Sequence, residues 1–136
     1  MADPIVVGAS ASIEHVFTLE DVTAFARLSG DENPVHLDAD AARSAGFERE
    51  IVHGVLVVSL ISRLLGTVLP GPGTILLGQE LRYRRPVYRG DRLRATVEIT
   101  NVRADKPVIT LRTSIETDEI VVDGEATVVV RRLEPR

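Results

Sequence analysis

Residues 51–73 read IVHGVLVVSLISRLLGTVLPGPG and contain the longest apolar stretch of the chain. From Val55 to Val68 the residues are apolar nearly all round, which is typical of a helix buried on most of its faces. Pro70-Gly71-Pro72-Gly73 then ends the helix, because proline cannot continue it and glycine favours turns. Polar residues interrupt the stretch, and its helical part falls short of the roughly 20 residues that a bilayer requires. We therefore predict a buried central helix and no membrane partner.

The chain after residue 73 changes to β-branched residues at alternating positions, a pattern that indicates strands. We predict strands near 75–84, 91–102, 107–117 and 120–132, and a shorter one at Ile13–Phe17. Antiparallel strands bury a preceding apolar helix best by curving around it. The prediction is an α+β hot-dog fold, in which an antiparallel β-sheet is wrapped around a long central α-helix. Such a sheet leaves a strand edge unpaired, so a second copy of the chain is the expected partner.

The region before the central helix contains a second helix and a shaped loop. Thr18 is a suitable N-cap for a helix from Leu19 to Leu28, and Gly30 is suited to end it. Pro34 excludes Asn33 from the α-helical region of backbone space. We therefore predict that residues 31–37 form a loop.

Composition narrows the class of protein. The chain has 136 residues, of which 44% are hydrophobic and 26% are charged, which is typical of one globular domain covering residues 1–136. A net charge of -4 disfavours nucleic acid as a partner. The absence of cysteine excludes thiolate nucleophiles and sulfur-based zinc sites. The first residues lack a basic, secretory-type leader, so we expect a cytoplasmic protein.

Asp31 and His36 are the first candidates for chemistry. The Asn33-Pro34 bend can fold the two side chains toward one point, where they could hold one water molecule. The carboxylate would accept one hydrogen of that water, and the imidazole would accept the other and later return a proton. The residues alone leave a second interpretation open, in which Asp31 caps the loop and His36 is structural.

Three positions on the central helix are further candidates. Gly54 begins the helix, so its free backbone amide could stabilise a developing enolate, although an ordinary helix start explains the glycine equally well. Ser62 lies in the apolar run and could orient His36 or the substrate, or bond back to a helix carbonyl. Leu65, one turn further on, would then line a substrate pocket.

Arg84 and Arg85 stand beside Pro86 in a basic part of the sequence. Guanidinium groups bind phosphates well, so both are candidates for contacts with a phosphate-bearing substrate. A solvated strand face accounts for them as well.

The stretch FARLSGDENPVHLD at residues 25–38 resembles the hydratase motif of MaoC-like (R)-specific enoyl-CoA hydratases. The resemblance continues through FEREIVHG at 47–54, the central helix, and LGQELRY at 77–83. It covers nearly the whole chain in order and spacing. The family resemblance implies a single MaoC-like hot-dog domain over 1–136, of the short type that supplies polyhydroxyalkanoate synthesis.

The resemblance also implies an activity and its residues. The activity is the reversible syn hydration of trans-2-enoyl-CoA to (R)-3-hydroxyacyl-CoA in fatty acid metabolism. Asp31 and His36 would be the acid/base pair, Ser62 a supporting polar group, and the Gly54 amide the donor to the thioester carbonyl. No metal or other cofactor is implied, because coenzyme A is part of the substrate. The family's homodimeric assembly agrees with the expected open strand edge.

Three other functions remain compatible with the sequence. A hot-dog acyl-CoA thioesterase shares the fold and the thioester carbonyl. A dehydratase of 3-hydroxyacyl-acyl-carrier-protein thioesters is a closer relative of the hydratases. A non-catalytic acyl-thioester-binding module belongs to a different class, and the intact Asp31 and His36 pair argues against it.

Overall fold

The computed structural model describes residues 5–131, so the ends of the predicted domain, 1–4 and 132–136, lie outside the described residues. The helices are α1 Leu19–Ser29, α2 Pro34–Leu37, α3 Ala39–Ser44 and α4 Gly54–Thr67. The strands are β1 Ser10–His15, β2 Thr74–Tyr83, β3 Leu93–Val102, β4 Val108–Glu116 and β5 Ile120–Val130. The predicted elements are present, with bounds that shift by a few residues.

The five strands form one antiparallel sheet in the order β1-β3-β4-β5-β2, and α4 packs on it, mainly against β3. Residues of β3 alternate between the buried and the more exposed face, so that Ala95, Val97 and Ile99 enter the core. Five residues of α4 are buried against them: Val57, Leu60, Ile61, Leu64 and Leu65. The predicted α+β hot-dog fold with a central helix is confirmed.

One side of α4 is exposed, whereas the sequence predicted a helix buried on most of its faces. Val55 is 64% exposed, and Ser59 and Ser62 on the same side are exposed as well. The reason is geometric, because a five-stranded sheet covers one side of the helix only. Among the described residues, no helix combines the length and the apolar character needed to cross a bilayer.

β2 is an edge strand, and its first half exposes apolar side chains. It pairs on one side with β5, and Ile75, Leu76 and Leu77 are 51%, 44% and 58% exposed. Exposed apolar strand edges favour pairing with another strand. The expected open edge is therefore present.

Local rules explain the segment before α4, with one correction. The Thr18 side chain accepts from the Asp21 amide, and Gly30 ends α1 with a φ of 77°. Residues 34–37 were predicted as loop, and this is wrong because they form the helical turn α2. Pro34 suits the first position of a helix, and the Asn33 side chain caps it by accepting from the Val35 amide.

The start of α4 is held by the loop that follows β2. The Val52 amide donates to the Val87 carbonyl at 2.7 Å. Glu50 and Arg89 form an ion pair at 2.9 Å whose side chains are only 18% and 24% exposed. Because the pair is partly buried, solvent screens it less than a surface pair and its attraction is stronger. It therefore helps to fix the position of the segment that enters α4.

We predict that Gly124→Ala destabilises the protein. A Cβ at Gly124 would overlap the Glu80 carbonyl of the paired strand β2, so the strands would have to separate. Overpacking of this kind costs about 1–3 kcal/mol of unfolding free energy, measurable by urea denaturation. Gly78→Ala is the matched control in the same sheet, because a Cβ there meets nothing within 4 Å. Equal stability of the two variants would contradict this account.

Candidate active site

Three hydrogen bonds join the 31–36 segment to the segment that enters α4. The Ile51 amide donates to the Val35 carbonyl at 3.1 Å. His36 Nδ1 bonds the Ile51 carbonyl at 2.9 Å, and His53 Nε2 bonds the Asp31 carbonyl at 2.9 Å. The loop that carries both predicted acid/base residues is thereby fastened to the start of the central helix.

Asp31 and His36 lie close enough to share a water molecule. A carboxylate oxygen of Asp31 and one ring nitrogen of His36 belong to a group of atoms that all lie within 4.8 Å of one another. Two acceptors on one water lie roughly 4.6 Å apart when each hydrogen bond has its usual length. Asp31 is exposed and His36 is half-buried, so the pair faces solvent on one side. The two side chains therefore lie near each other, and their joint use of one water molecule stays a prediction.

The hydrogen bond of His36 determines which ring nitrogen is free. A backbone carbonyl can only accept, so His36 Nδ1 carries the hydrogen that it donates to Ile51. In the neutral ring Nε2 then holds a lone pair, which is what a general base requires.

His53 belongs to the same cluster, although the sequence reasoning gave its side chain no role. Its ring is 1% exposed and stacks on the His36 ring with centroids 3.9 Å apart and an interplanar angle of 27°. Phe25 meets the His53 ring edge-on at 4.9 Å. The sequence offered one signal for such a role, the position of His53 directly before Gly54. Its contacts with His36 and Asp31, 17 and 22 residues away, follow no periodic pattern that the sequence could reveal.

The cluster has the residue types of a metal site, so its fit to an ion can be tested. One donor atom each of Asp31, His36 and His53 lies within 4.8 Å of the others. Zinc bound at 2.0–2.1 Å holds its ligand atoms about 3.4 Å apart. The His53 nitrogen Nε2 already donates to a carbonyl. A metal would therefore have to bind His53 through Nδ1, with the three donor atoms as close together as that spacing requires.

Gly54 lines a cleft of about 360 Å³. The cleft is lined by Phe47, Ile51, Val52, Gly54, Val57, Tyr83, Arg84, Arg85, Pro86, Val87 and Val122. A Cβ at Gly54 would approach the Tyr83 ring to 2.8 Å, so a larger residue there would require this half-exposed ring to shift. Tyr83 also lines the cleft, and partial burial raises the pKa of its hydroxyl.

Ser62 and Leu65 line a different cleft. It has a volume of about 90 Å³ and also contains Gly66, Thr74, Leu76 and Gln79. Eight residues separate Gly54 from Ser62, which is about 12 Å along a helix. Asp31 and His36 line neither cleft. The structure thus brings Asp31 to His36, and Gly54 to the two arginines, while Ser62 and Leu65 form a third group.

Arg84 and Arg85 already have acidic partners. Arg84 Nε donates to Asp123 at 3.1 Å, and Arg85 forms an ion pair with Glu119. All four side chains are 40% to 58% exposed, so these pairs are screened and weak. A phosphate that binds these arginines would have to displace the carboxylates of Asp123 and Glu119.

Comparison with known proteins identifies the family. The model of the MaoC like domain family matches residues 7–121. An (R)-specific enoyl-CoA hydratase of Aeromonas caviae is 49% identical over 129 residues, covering 93% of this chain and 96% of the relative. A 3-hydroxybutyryl-CoA dehydratase of Methylorubrum extorquens is 37% identical and covers 94% and 82%.

Solved structures agree with these sequence relatives. The structure of an (R)-hydratase from A. caviae involved in PHA biosynthesis superposes with a TM-score of 0.89 at 48% identity, covering 96% of this chain and 100% of that chain. The unliganded R-hydratase of Pseudomonas aeruginosa gives a TM-score of 0.85 at 39% identity, covering 97% and 92%. The resemblance found in the sequence is confirmed, and the chain belongs to the MaoC-like domain family.

Proposed function

We propose that this chain is an (R)-specific enoyl-CoA hydratase. The relatives that resemble it over nearly their whole length are named as hydratases and dehydratases. The observation that carries the proposal is the pairing of the Asp31 carboxylate with a His36 ring whose Nδ1 is committed to the Ile51 carbonyl. We propose that one water molecule binds to both the Asp31 carboxylate and His36 Nε2, the nitrogen that the bond to Ile51 leaves free to take a proton.

The proposed reaction uses this water as the nucleophile. Asp31 accepts one hydrogen bond from the water, and His36 Nε2 removes the other hydrogen as the oxygen attacks the β-carbon of the trans-2-enoyl thioester. The protonated pair then returns a proton to the α-carbon on the same face. The net change adds one hydroxyl and one hydrogen, yielding (R)-3-hydroxyacyl-CoA, and the steps reverse for dehydration.

The Gly54 amide is proposed to stabilise the enolate oxygen. Gly54 is the first residue of α4, where backbone N–H groups have no partner within the helix and the helix dipole favours negative charge. The thioester itself acidifies the α-position, so we propose that the reaction needs no metal or other cofactor. The glycine also serves the packing of Tyr83, so its amide role is argued from its position at the helix end.

The acyl-CoA substrate is proposed to extend from the Gly54 amide in two directions, with coenzyme A toward the larger cleft and the acyl chain toward the smaller one. Arg84 and Arg85 stand at the larger cleft and would bind coenzyme A phosphates by exchange with their carboxylate partners. Ser62 and Leu65 are proposed to contact the acyl part from the smaller cleft. A cytoplasmic location, expected from the sequence, is part of the proposal.

A homodimer is proposed from the open edge of the sheet. The exposed apolar residues Ile75, Leu76 and Leu77 lie on β2, which has a free side. Antiparallel pairing of two β2 strands would cover these residues and continue the sheet through both copies.

Crotonyl-CoA separates this function from the alternatives. A hydratase removes the conjugated enoyl absorbance without releasing thiol, and chiral analysis should identify the (R) product. A thioesterase would instead release free coenzyme A, detectable with a disulfide reagent. A carrier-protein dehydratase would prefer the acyl-carrier-protein thioester, and a binding module would bind without turnover.

Asp31→Asn and His36→Ala should each lower kcat on crotonyl-CoA by at least about a hundredfold, since each removes one half of the acid/base pair. Asp31→Asn should remain folded, as Asp31 is exposed and asparagine keeps the oxygen that accepts from the Asn33 amide. His36→Ala also loses the bond to the Ile51 carbonyl, so its kcat is compared at equal folded fraction.

Glu32→Gln is the matched control for loss of charge in the same loop, because the Glu32 side chain is exposed. It should retain wild-type turnover. Full activity in either Asp31→Asn or His36→Ala would contradict the proposed mechanism.

Leu65→Ala should shift preference toward longer acyl chains by deepening the smaller cleft, which Leu65 lines. The measurement is the ratio of kcat/KM values for enoyl-CoA substrates of several lengths, which does not depend on the folded fraction. Leu64→Ala is the matched control, because Leu64 is fully buried but does not line that cleft. Both changes should cost about 2–5 kcal/mol of stability. The same profile in both variants would exclude Leu65 from the acyl site.

A further inference from the structure

His53 is the buried histidine that the proposed reaction does not use. It is one of three histidines in the chain, and its side chain is 1% exposed. It precedes α4 as the N-cap residue, although its side chain makes no capping bond. Instead the ring turns away to contact both members of the acid/base pair.

The first contact fixes the backbone of Asp31. His53 Nε2 lies 2.9 Å from the Asp31 carbonyl, and because a carbonyl only accepts, Nε2 is the protonated nitrogen. Asp31 is exposed in a loop, whereas His53 is anchored at the start of a helix with a buried core face. The bond therefore ties the residue carrying the carboxylate to the rigid part of the protein.

The second contact supports the ring of His36. The two imidazoles are nearly parallel with centroids 3.9 Å apart, and Phe25 meets the His53 ring edge-on. A stacked neighbour restricts rotation of the His36 ring. It also offers a π-face to that ring when the ring carries a proton during the reaction.

Packing alone does not account for a histidine here. His53 Nδ1 is buried and has no hydrogen-bond partner among the described residues. An unsatisfied buried polar atom costs free energy that an apolar side chain of similar size would avoid. A histidine at this position is therefore explained by its other nitrogen, Nε2, which bonds the Asp31 carbonyl.

We propose that His53 is a positioning residue for the hydration step, holding the Asp31 backbone through Nε2–H and the His36 ring by stacking. The proposal rests on the hydratase function proposed above. It gives His53 no contact with the substrate and no proton transfer. Its effect is expected on kcat, because errors in placing catalytic groups are costly even when they are small.

His53→Gln and His53→Leu separate the hydrogen bond from packing. The Gln side-chain amide can place a donor near the position of Nε2, whereas leucine fills similar space without a donor. We expect His53→Leu to lower kcat on crotonyl-CoA at least about tenfold with KM within about threefold. His53→Gln should recover most of this loss. His15→Gln is the control, since His15 packs on Phe17 outside the cluster.

A structural role alone would lower the melting temperature without this pattern. The proposal is overturned if folded His53→Leu keeps wild-type kcat, or if His53→Gln has no higher kcat than His53→Leu at equal folded fraction.

Should the leucine variant not fold, ring-nitrogen NMR of the wild type decides. His53 should be protonated at Nε2 and His36 at Nδ1, and the opposite tautomer of His53 would overturn the proposal. Wild-type protein without hydratase turnover would refute the proposed function, while the NMR still reports on the bond.

Discussion

Two hydrogen bonds from imidazole rings to backbone carbonyls hold the candidate site together. His36 Nδ1 bonds the Ile51 carbonyl and His53 Nε2 bonds the Asp31 carbonyl, so each segment supplies one ring and receives one bond. This reciprocity fixes the spacing of the two segments and the tautomers of both rings. A carboxylate on an exposed loop acquires a defined position in this way without being buried itself.

The fold contributes the fixed point to which this loop is tied. Leu60 and Leu64 seat α4 in the core, and the Val52 to Val87 bond positions the residues just before it. The start of α4 therefore carries two features that need accurate placement, the Gly54 amide and the His53 ring. The sheet serves the proposed chemistry by immobilising one helix end.

Local features were predictable from the sequence, and long-range ones were not. The cap at Thr18, the end of α1 at Gly30 and the central helix follow from rules that act over a few residues. The turn at 34–37 was missed because Pro34 excludes α geometry for the residue before it but favours it from its own position onward. The role of the His53 side chain depends on a contact 22 residues away, which no periodic pattern encodes.

Strand β2 contributes lining residues to both clefts, although Gly54 and Ser62, which line them from α4, are far apart along that helix. Tyr83 lines the larger cleft near the end of this strand, and Leu76 and Gln79 line the smaller cleft nearer its start. The strand is held on one side only, by β5, where Gly124 allows the two backbones to approach closely. A shift of this edge strand would change both clefts together. Both clefts thus share one strand, and the free side of that strand is the one proposed to meet a second copy.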